Sequence, residues 1–145
     1  MAKAKIHMQP KLINGGKHKD ERGEIQFNND FDTTQVKRIY TIENVDTSFV
    51  RAWQGHSIET RWFSALEGRF QIKLILIDNW EEPNPNSKVL SFELTDEGLH
   101  ILYVPPGYIS SIQALDEGAK LLAMSDYQLG EVNDEYRFDK DYFTS

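Results

Sequence analysis

The sequence predicts a single domain built from β-strands, arranged as a sandwich or a barrel. Its 145 residues fit one domain and are too few for two of ordinary size. Short segments rich in aromatic or β-branched residues recur at regular spacing, and each break between them holds glycine, proline or aspartate. No internal repeat or low-complexity segment interrupts this pattern. We therefore treat residues 1–145 as one domain.

Each predicted element follows from this alternation of apolar and turn-forming residues. Residues 1–22 are predicted to form a loop-like arm, because Gly15–Asp20 is glycine-rich and charged. The predicted strands are Glu24–Phe27, Val36–Ile42, Phe49–Gly55, Arg61–Leu66, Arg69–Ile77, Val89–Leu94, His100–Val104, Ile109–Leu115 and Lys120–Ser125. Glu67-Gly68 predicts a tight hairpin turn. Residues 126–145 are expected to form a tail on the outside of the barrel, with its acidic stretch 134–139 in solvent.

Composition and charge exclude several functional classes. The net charge of -7 argues against a general nucleic-acid-binding protein, although a few local arginines can still bind a diphosphate. The absence of cysteine excludes disulfides and thiolate metal sites. The N-terminal residues lack the apolar run of a signal peptide, and the longest apolar stretch, Leu74–Ile77, is too short to span a membrane. We expect a cytoplasmic protein that binds neither nucleic acid nor membrane.

Two segments resemble the conserved motifs of the cupin superfamily. They are residues 51–68, RAWQGHSIETRWFSALEG, and residues 98–110, GLHILYVPPGYIS. In metal-binding cupins the first motif supplies two histidines and a glutamate, and here Gln54, His56 and Arg61 stand at those positions. Ser110 stands at the histidine position of the second motif. The resemblance implies an antiparallel jelly-roll barrel, and the loss of three ligands out of four predicts that it holds no metal.

Four blocks, two of them inside these segments, resemble the metal-free nucleotide-sugar 3,4-ketoisomerases, which are related to the dTDP-4-dehydrorhamnose 3,5-epimerases. The blocks are KRIY at 37–40, RAWQGH at 51–56, VPPGY at 104–108 and MSDY at 124–127. They lie within residues 20–143, in the family's order and at similar spacing. The resemblance implies an isomerase without a cofactor. It would move a proton on a dTDP-linked 4-keto-6-deoxyhexose, by 3,4-ketoisomerisation or C3 epimerisation through an enediolate, in deoxysugar biosynthesis for surface polysaccharide.

Cupins of this size commonly pair through edge strands, which protects those edges from aggregation. The resemblance therefore also implies a homodimer, for which Glu24–Phe27 is the candidate exchanged strand.

Three residues are the candidate catalytic groups. His56 is the candidate proton-transfer residue, because its ordinary pKa lies near neutrality. Tyr40 matches the family's tyrosine and would steady the enediolate, and Glu59 is either a carboxylate base or a residue that orients Arg61 or His56. The family's first histidine is Gln54 here, and a neutral amide cannot accept a proton. A non-catalytic cupin that binds a sugar or sugar nucleotide is therefore the alternative function.

The remaining candidates would bind the substrate. Arg51 and Arg61 are expected to bind the diphosphate, because a guanidinium pairs with phosphate in a bidentate manner. An ion pair with Glu59 is the alternative role for Arg61. Gln54 would donate a hydrogen bond, and Trp53 and Tyr108 are candidates to stack on the thymine or the sugar, unless they only fill the core.

Overall fold

Twelve strands form two five-stranded antiparallel sheets and a separate hairpin in this computed structural model, which describes residues 8–144. The strands are β1 (Lys11–Ile13), β2 (Gly16–Asp20), β3 (Gly23–Phe27), β4 (Arg38–Ile42), β5 (Val50–His56), β6 (Arg61–Glu67), β7 (Phe70–Leu76), β8 (Val89–Leu94), β9 (Ile101–Val104), β10 (Tyr108–Ala114), β11 (Lys120–Ser125) and β12 (Glu135–Arg137). No helix occurs among these described residues, and so none that could cross a bilayer.

The two large sheets share one apolar core. The first sheet has the order β1-β9-β6-β11-β4 and the second the order β12-β5-β10-β7-β8. Alternate residues of β6 and β11, such as Phe63 and Leu121, point towards β7 and β10, where they meet Ile72 and Ile112. Strands that bury one face in this way show period-two patterns, which explains why the sequence located them. The all-β, antiparallel prediction is confirmed.

The turn at Glu67-Gly68 was predicted as a hairpin and is instead a connection between the sheets. β6 pairs with β9 and β11, whereas β7 pairs with β10 and β8. Gly68 adopts a positive φ of 71°, and its N–H donates to the Asp96 carboxylate at 2.8 Å. The residues of a turn specify that the chain reverses, but they do not specify which strand the next segment will pair with.

Residues 11–20 also depart from the loop-like arm predicted for residues 1–22, of which residues 1–7 lie outside the described part of the chain. β1 pairs with β9, and β2 pairs with β3 from Gly16↔Phe27 to Asp20↔Gly23. The hairpin was missed because it is largely exposed on both faces, so Gly16–Asp20 carries no alternating pattern. Every residue of β3 is exposed, Ile25 by 61%. The exchanged strand and the homodimer remain predictions.

Residues 134–139 of the C-terminal tail were predicted to be solvated, and the structure exposes Glu135, Arg137 and Asp139 but buries Asp134. β12 completes the edge of the second sheet by pairing with β5, with Glu135 opposite His56 and Arg137 opposite Gln54. Asp134, just before β12, is only 4% exposed. Pairing across this distance in sequence cannot be seen in a polar segment of three residues.

Candidate active site

A cavity of about 230 Å³ lies between the two sheets. β5 contributes Arg51, Gln54 and His56, β4 contributes Tyr40, and β6 contributes Arg61. The other lining residues are Ile42, Gly55, Glu59, Phe63, Val104, Pro105, Tyr108, Ser110, Ile112 and Arg137. Seven of the eight residues that the sequence nominated line this cavity, and Trp53 is the exception.

A β-bulge in β5 brings Arg51 onto the same face as Gln54. Ser110 pairs with Gln54, and Ile112 pairs with Arg51, so three steps along β5 match two steps along β10. The extra residue reverses the alternation at that point, because successive side chains of a regular strand point to opposite faces. Without it Arg51 would face away from Gln54 and His56.

His56 is buried, and its Nδ1 atom is held by two carboxylates. Nδ1 lies 2.6 Å from Glu59 Oε2 and 3.0 Å from Asp134 Oδ1. Carboxylate oxygens accept hydrogen bonds, so Nδ1 carries the proton in the neutral ring and Nε2 keeps its lone pair. The Ser125 hydroxyl donates to Glu59 Oε1 at 2.8 Å, which fixes that carboxylate in turn.

Asp134 is the anchor of this arrangement. Its Oδ2 accepts the backbone N–H groups of Ile58 at 2.8 Å and Glu59 at 2.7 Å. Burial raises the pKa of Asp134, but the hydrogen bonds from His56 and from these two N–H groups outweigh burial and hold the pKa below its ordinary value. Asp134 is therefore an anion at neutral pH, suited to orient His56 and to stabilise its protonated form.

Arg61 lies between the candidate catalytic groups at the floor of the cavity. Its Nη1 donates to the Tyr40 hydroxyl, and its Nη2 donates to His56 Nε2. Nη2 also lies 3.5 Å from Glu59 Oε2, so the ion pair considered as an alternative role is present. The side chain is only 13% exposed. Arg61 therefore contacts His56 and Tyr40 rather than standing at the entrance.

Polar and charged side chains of β5 and β12 form the more exposed mouth of the cavity. Gln54 Nε2 donates to Glu135 Oε1 at 2.9 Å, and Arg137 Nε donates to the same oxygen at 2.6 Å. Arg51 Nε donates to Asn44 Oδ1 at 3.3 Å. The Arg137 side chain is 74% exposed, so its guanidinium can reach a ligand in the cavity.

The two aromatic candidates differ in position. Tyr108 lines the cavity and is packed into the core, where burial raises the pKa of its hydroxyl. Trp53 points to the other face of β5 and packs edge-on against Phe143 at 5.5 Å between ring centroids. The stacking role expected for Trp53 is not possible here, because it is 5% exposed and lies outside the cavity.

Three neighbouring side chains at the floor of the cavity and directly behind it carry atoms that could bind a metal ion. His56, Glu59 and Asp134 bring one such atom each within 4.8 Å of the others. Those atoms already bond to one another, to Ser125 and to backbone N–H groups, and the Arg61 cation lies against His56 Nε2. These residues therefore do not fit a transition-metal centre.

Sequence reasoning missed Asp134 and Arg137. Both belong to the acidic and aromatic stretch 134–139, which was expected to lie in solvent.

The sequence of the chain matches a known protein family. A sequence model of the family described as "FdtA: WxcM-like, C-terminal" matches residues 8–145. No curated protein sequence matches the chain significantly.

Several solved structures have a similar fold. A variant of the 3,4-ketoisomerase QdtA from Thermoanaerobacterium thermosaccharolyticum, in complex with TDP-4-keto-6-deoxyglucose, is 22% identical, with a TM-score of 0.70 over 94% of this chain and 93% of that one. A 3,4-ketoisomerase from Helicobacter canadensis is 21% identical, with a TM-score of 0.70 over 94% and 96%. The rmlC epimerase of Mycobacterium tuberculosis is 14% identical, with a TM-score of 0.72 over 94% and 73%. At these identities the likeness shows the fold, which is the predicted cupin-type barrel.

Proposed function

The chain belongs to the FdtA, WxcM-like C-terminal family, and from this premise we propose that it is a metal-independent isomerase of nucleotide-linked 4-keto-6-deoxyhexoses. The observation that carries the proposal is the state of His56. Its Nδ1 is held by two carboxylates, so Nε2 is the basic atom, and it accepts a hydrogen bond from Arg61 close to Tyr40. A base and hydrogen-bond donors in one enclosed cavity are what carbon-centred proton transfer requires.

The first half of the proposed reaction is removal of the proton at C3. That proton is acidic because it lies next to the C4 ketone. The C3–H bond breaks, its proton moves to His56 Nε2, and its electron pair forms the C3–C4 double bond while the carbonyl π electrons move to the C4 oxygen. Asp134 stabilises the imidazolium that results, since its carboxylate accepts the Nδ1 proton's hydrogen bond at 3.0 Å.

The second half decides the product. For ketoisomerisation, the proton of the C3 hydroxyl passes to the C4 oxygen, Tyr40 serving as relay, and His56 returns its proton to C4. Return of a proton to the opposite face of C3 gives an epimer instead. Gln54 cannot act as a second base, so one histidine serves both transfers in this proposal. We favour ketoisomerisation because the four sequence blocks resemble that family.

The nucleotide end of the substrate would lie at the mouth. Arg51 and Arg137 present guanidinium groups there, and bidentate pairing with a diphosphate suits both. A solved structure of QdtA contains TDP, and that of the dTDP-4-dehydrorhamnose 3,5-epimerase from Bacillus anthracis contains TDP and pyrophosphate. These ligands support a dTDP-linked sugar as the substrate of this chain.

Proton exchange tests the proposal directly. The protein is incubated with dTDP-4-keto-6-deoxyglucose in deuterated water, and label at C3 and C4 is followed by NMR. We expect deuterium at C3 and formation of a 3-keto sugar with deuterium at C4. The control is dTDP-glucose, which has no ketone and therefore should not exchange.

The alternative function is a non-catalytic sugar-nucleotide binder. Gln54, in place of the family's first histidine, is the observation in its favour. Tight binding of the keto sugar with neither exchange nor formation of the 3-keto sugar would establish this alternative and overturn the proposed isomerase.

A further inference from the structure

The Arg61 guanidinium occupies an unusual place for a residue expected to bind the diphosphate. Arg61 begins β6 in the middle of the first sheet, with Val104 on one side and Ser125 on the other. Its side chain is 13% exposed, whereas that of Arg137 at the mouth is 74% exposed. Burying a cation is unfavourable unless its partners compensate, and Glu59 is its only carboxylate partner among the described residues. The arginine is therefore held inside the site at a cost in stability.

The contacts of Arg61 identify what it serves. One terminal nitrogen donates to the Tyr40 hydroxyl and the other to His56 Nε2, so the guanidinium bridges the two groups assigned to proton transfer. Of the five N–H donors of the guanidinium, the one on Nε is buried and has no protein partner among residues 8–144. The guanidinium can therefore donate hydrogen bonds to a ligand that lies beside His56 Nε2.

Proton removal from C3 creates negative charge on the C4 oxygen, which lies two bonds from the reacting carbon. A donor that stabilises this oxygen must therefore lie beside the base. Gln54 does not meet this requirement, because its amide N–H is already bonded to Glu135 at the mouth. Tyr40 and Arg61 do meet it, and Arg61 is permanently charged.

Resting on the proposed function, we infer that Arg61 is the electrophilic catalytic residue of this site, binding the 4-keto oxygen and stabilising the enediolate. When substrate enters, the keto oxygen replaces His56 Nε2 as the acceptor of the Arg61 Nη2 proton. The Nε2 lone pair is thereby released towards C3–H. The guanidinium remains protonated throughout, so it stabilises the negative charge on the C4 oxygen without transferring a proton.

Two variants of Arg61 test this inference against a role in nucleotide binding. Arg61→Gln keeps a donor and removes the charge, and Arg61→Lys keeps the charge with a single nitrogen. The measurements are the C3 exchange rate at saturating dTDP-4-keto-6-deoxyglucose, its KM, and the Kd of TDP alone. Arg69→Gln is the matched control, because Arg69 is an exposed arginine paired with Asp116, away from the cavity. Arg51→Gln is measured beside it as the variant of a residue assigned to the diphosphate.

For Arg61→Gln we expect a fall in exchange rate of roughly 10²–10³, as for loss of one oxyanion donor, with little change in the Kd of TDP. Arg61→Lys should recover at least about tenfold of that loss. Arg69→Gln should leave both the exchange rate and the Kd of TDP unchanged, and Arg51→Gln should weaken TDP binding. TDP binding also reports whether each variant is folded.

Three outcomes would overturn the inference. Normal exchange by Arg61→Gln excludes the electrophilic role while leaving the isomerase proposal intact, since the natural protein would still exchange. Loss of TDP affinity equal to that of Arg51→Gln assigns Arg61 to the nucleotide instead. Absence of both exchange and 3-keto product in the natural protein refutes both the proposed function and this role for Arg61.

Discussion

The floor and the mouth of the cavity use the same kinds of side chain in two different environments. At the floor, His56, Glu59, Arg61 and Asp134 are buried and bonded to one another. At the mouth, Gln54, Glu135 and Arg137 form a similar chain of hydrogen bonds, but the Arg137 side chain is 74% exposed.

This difference decides what each region can do. Electrostatic interactions are stronger where water is excluded, so the floor is suited to stabilise charge that develops during a reaction. At the mouth, exposed ion pairs contribute little to folding, and their side chains remain available to a charged ligand. Substitutions at the floor should therefore change turnover, and substitutions at the mouth should change affinity.

The largest effect is expected from His56→Asn. Loss of a general base typically lowers the rate by about 10²–10⁴-fold. The Kd of TDP should change little, because Arg51 and Arg137 are untouched. Turnover and TDP binding are measured separately, beside Glu59→Gln. Normal turnover by His56→Asn together with loss of turnover by Glu59→Gln would make the carboxylate the base.

Asp134→Asn should lower kcat as well, because the amide no longer stabilises the imidazolium. The fall should be smaller than the roughly 10⁴-fold loss seen when the equivalent aspartate of a serine protease is replaced, since Glu59 also lies 2.6 Å from Nδ1. Retention of normal kcat in Asp134→Asn would show that Glu59 alone orients the ring.

The same variant should alter stability towards acid. The pKa of Asp134 is lowered by folding from its ordinary value of 3.8, so its ionised form stabilises the native state above that pH. This contribution is lost as the pH falls below 3.8 towards the folded-state pKa. Urea unfolding at pH 7 should show a loss of about 1–3 kcal/mol in Asp134→Asn. The difference from the natural protein should shrink at acid pH, and a constant difference would contradict the assignment.

Arg51→Gln and Arg137→Gln should each weaken TDP binding by a moderate factor. One charge-assisted contact at a partly exposed site contributes about 0.5–1.5 kcal/mol, or roughly two- to twelvefold in Kd. Calorimetric titration at low and high salt measures it, and the effect should be smaller at high salt. Arg69→Gln is the matched control, because Arg69 is an exposed arginine paired with Asp116, away from the cavity. An unchanged Kd in both mouth variants would move the diphosphate elsewhere.

No effect at all is expected from chelators. Gln54, Arg61 and Ser110 replace three metal-binding positions of the cupin motifs, and the remaining donors at the floor bond to one another. Elemental analysis should find no stoichiometric zinc, iron or manganese. About one metal ion per chain that disappears in His56→Asn would contradict this prediction.

The alternation of apolar and polar residues was enough to predict most of the strands and the residues on the inner face of the site. Alternation located the strands from Val36 to Ser125, and it placed Gln54 and His56 on one face of β5 because they are two residues apart. The same alternation puts Trp53 on the opposite face, where it packs on Phe143. The stacking role proposed for Trp53 was therefore inconsistent with a rule that the sequence already provided.

The pairing of these strands, and the distant residues that complete the site, could not be predicted from the sequence pattern and are seen in the folded structure. Asp134 and His56 are 78 positions apart in sequence, and they meet because β12 pairs with β5. The three residues of β12 show no alternating pattern from which this pairing could be predicted. The bulge that turns Arg51 into the cavity is visible only as a register difference between β5 and β10. Local patterns encode which way a side chain points along its own strand, whereas pairing and burial depend on contacts between segments far apart in the chain.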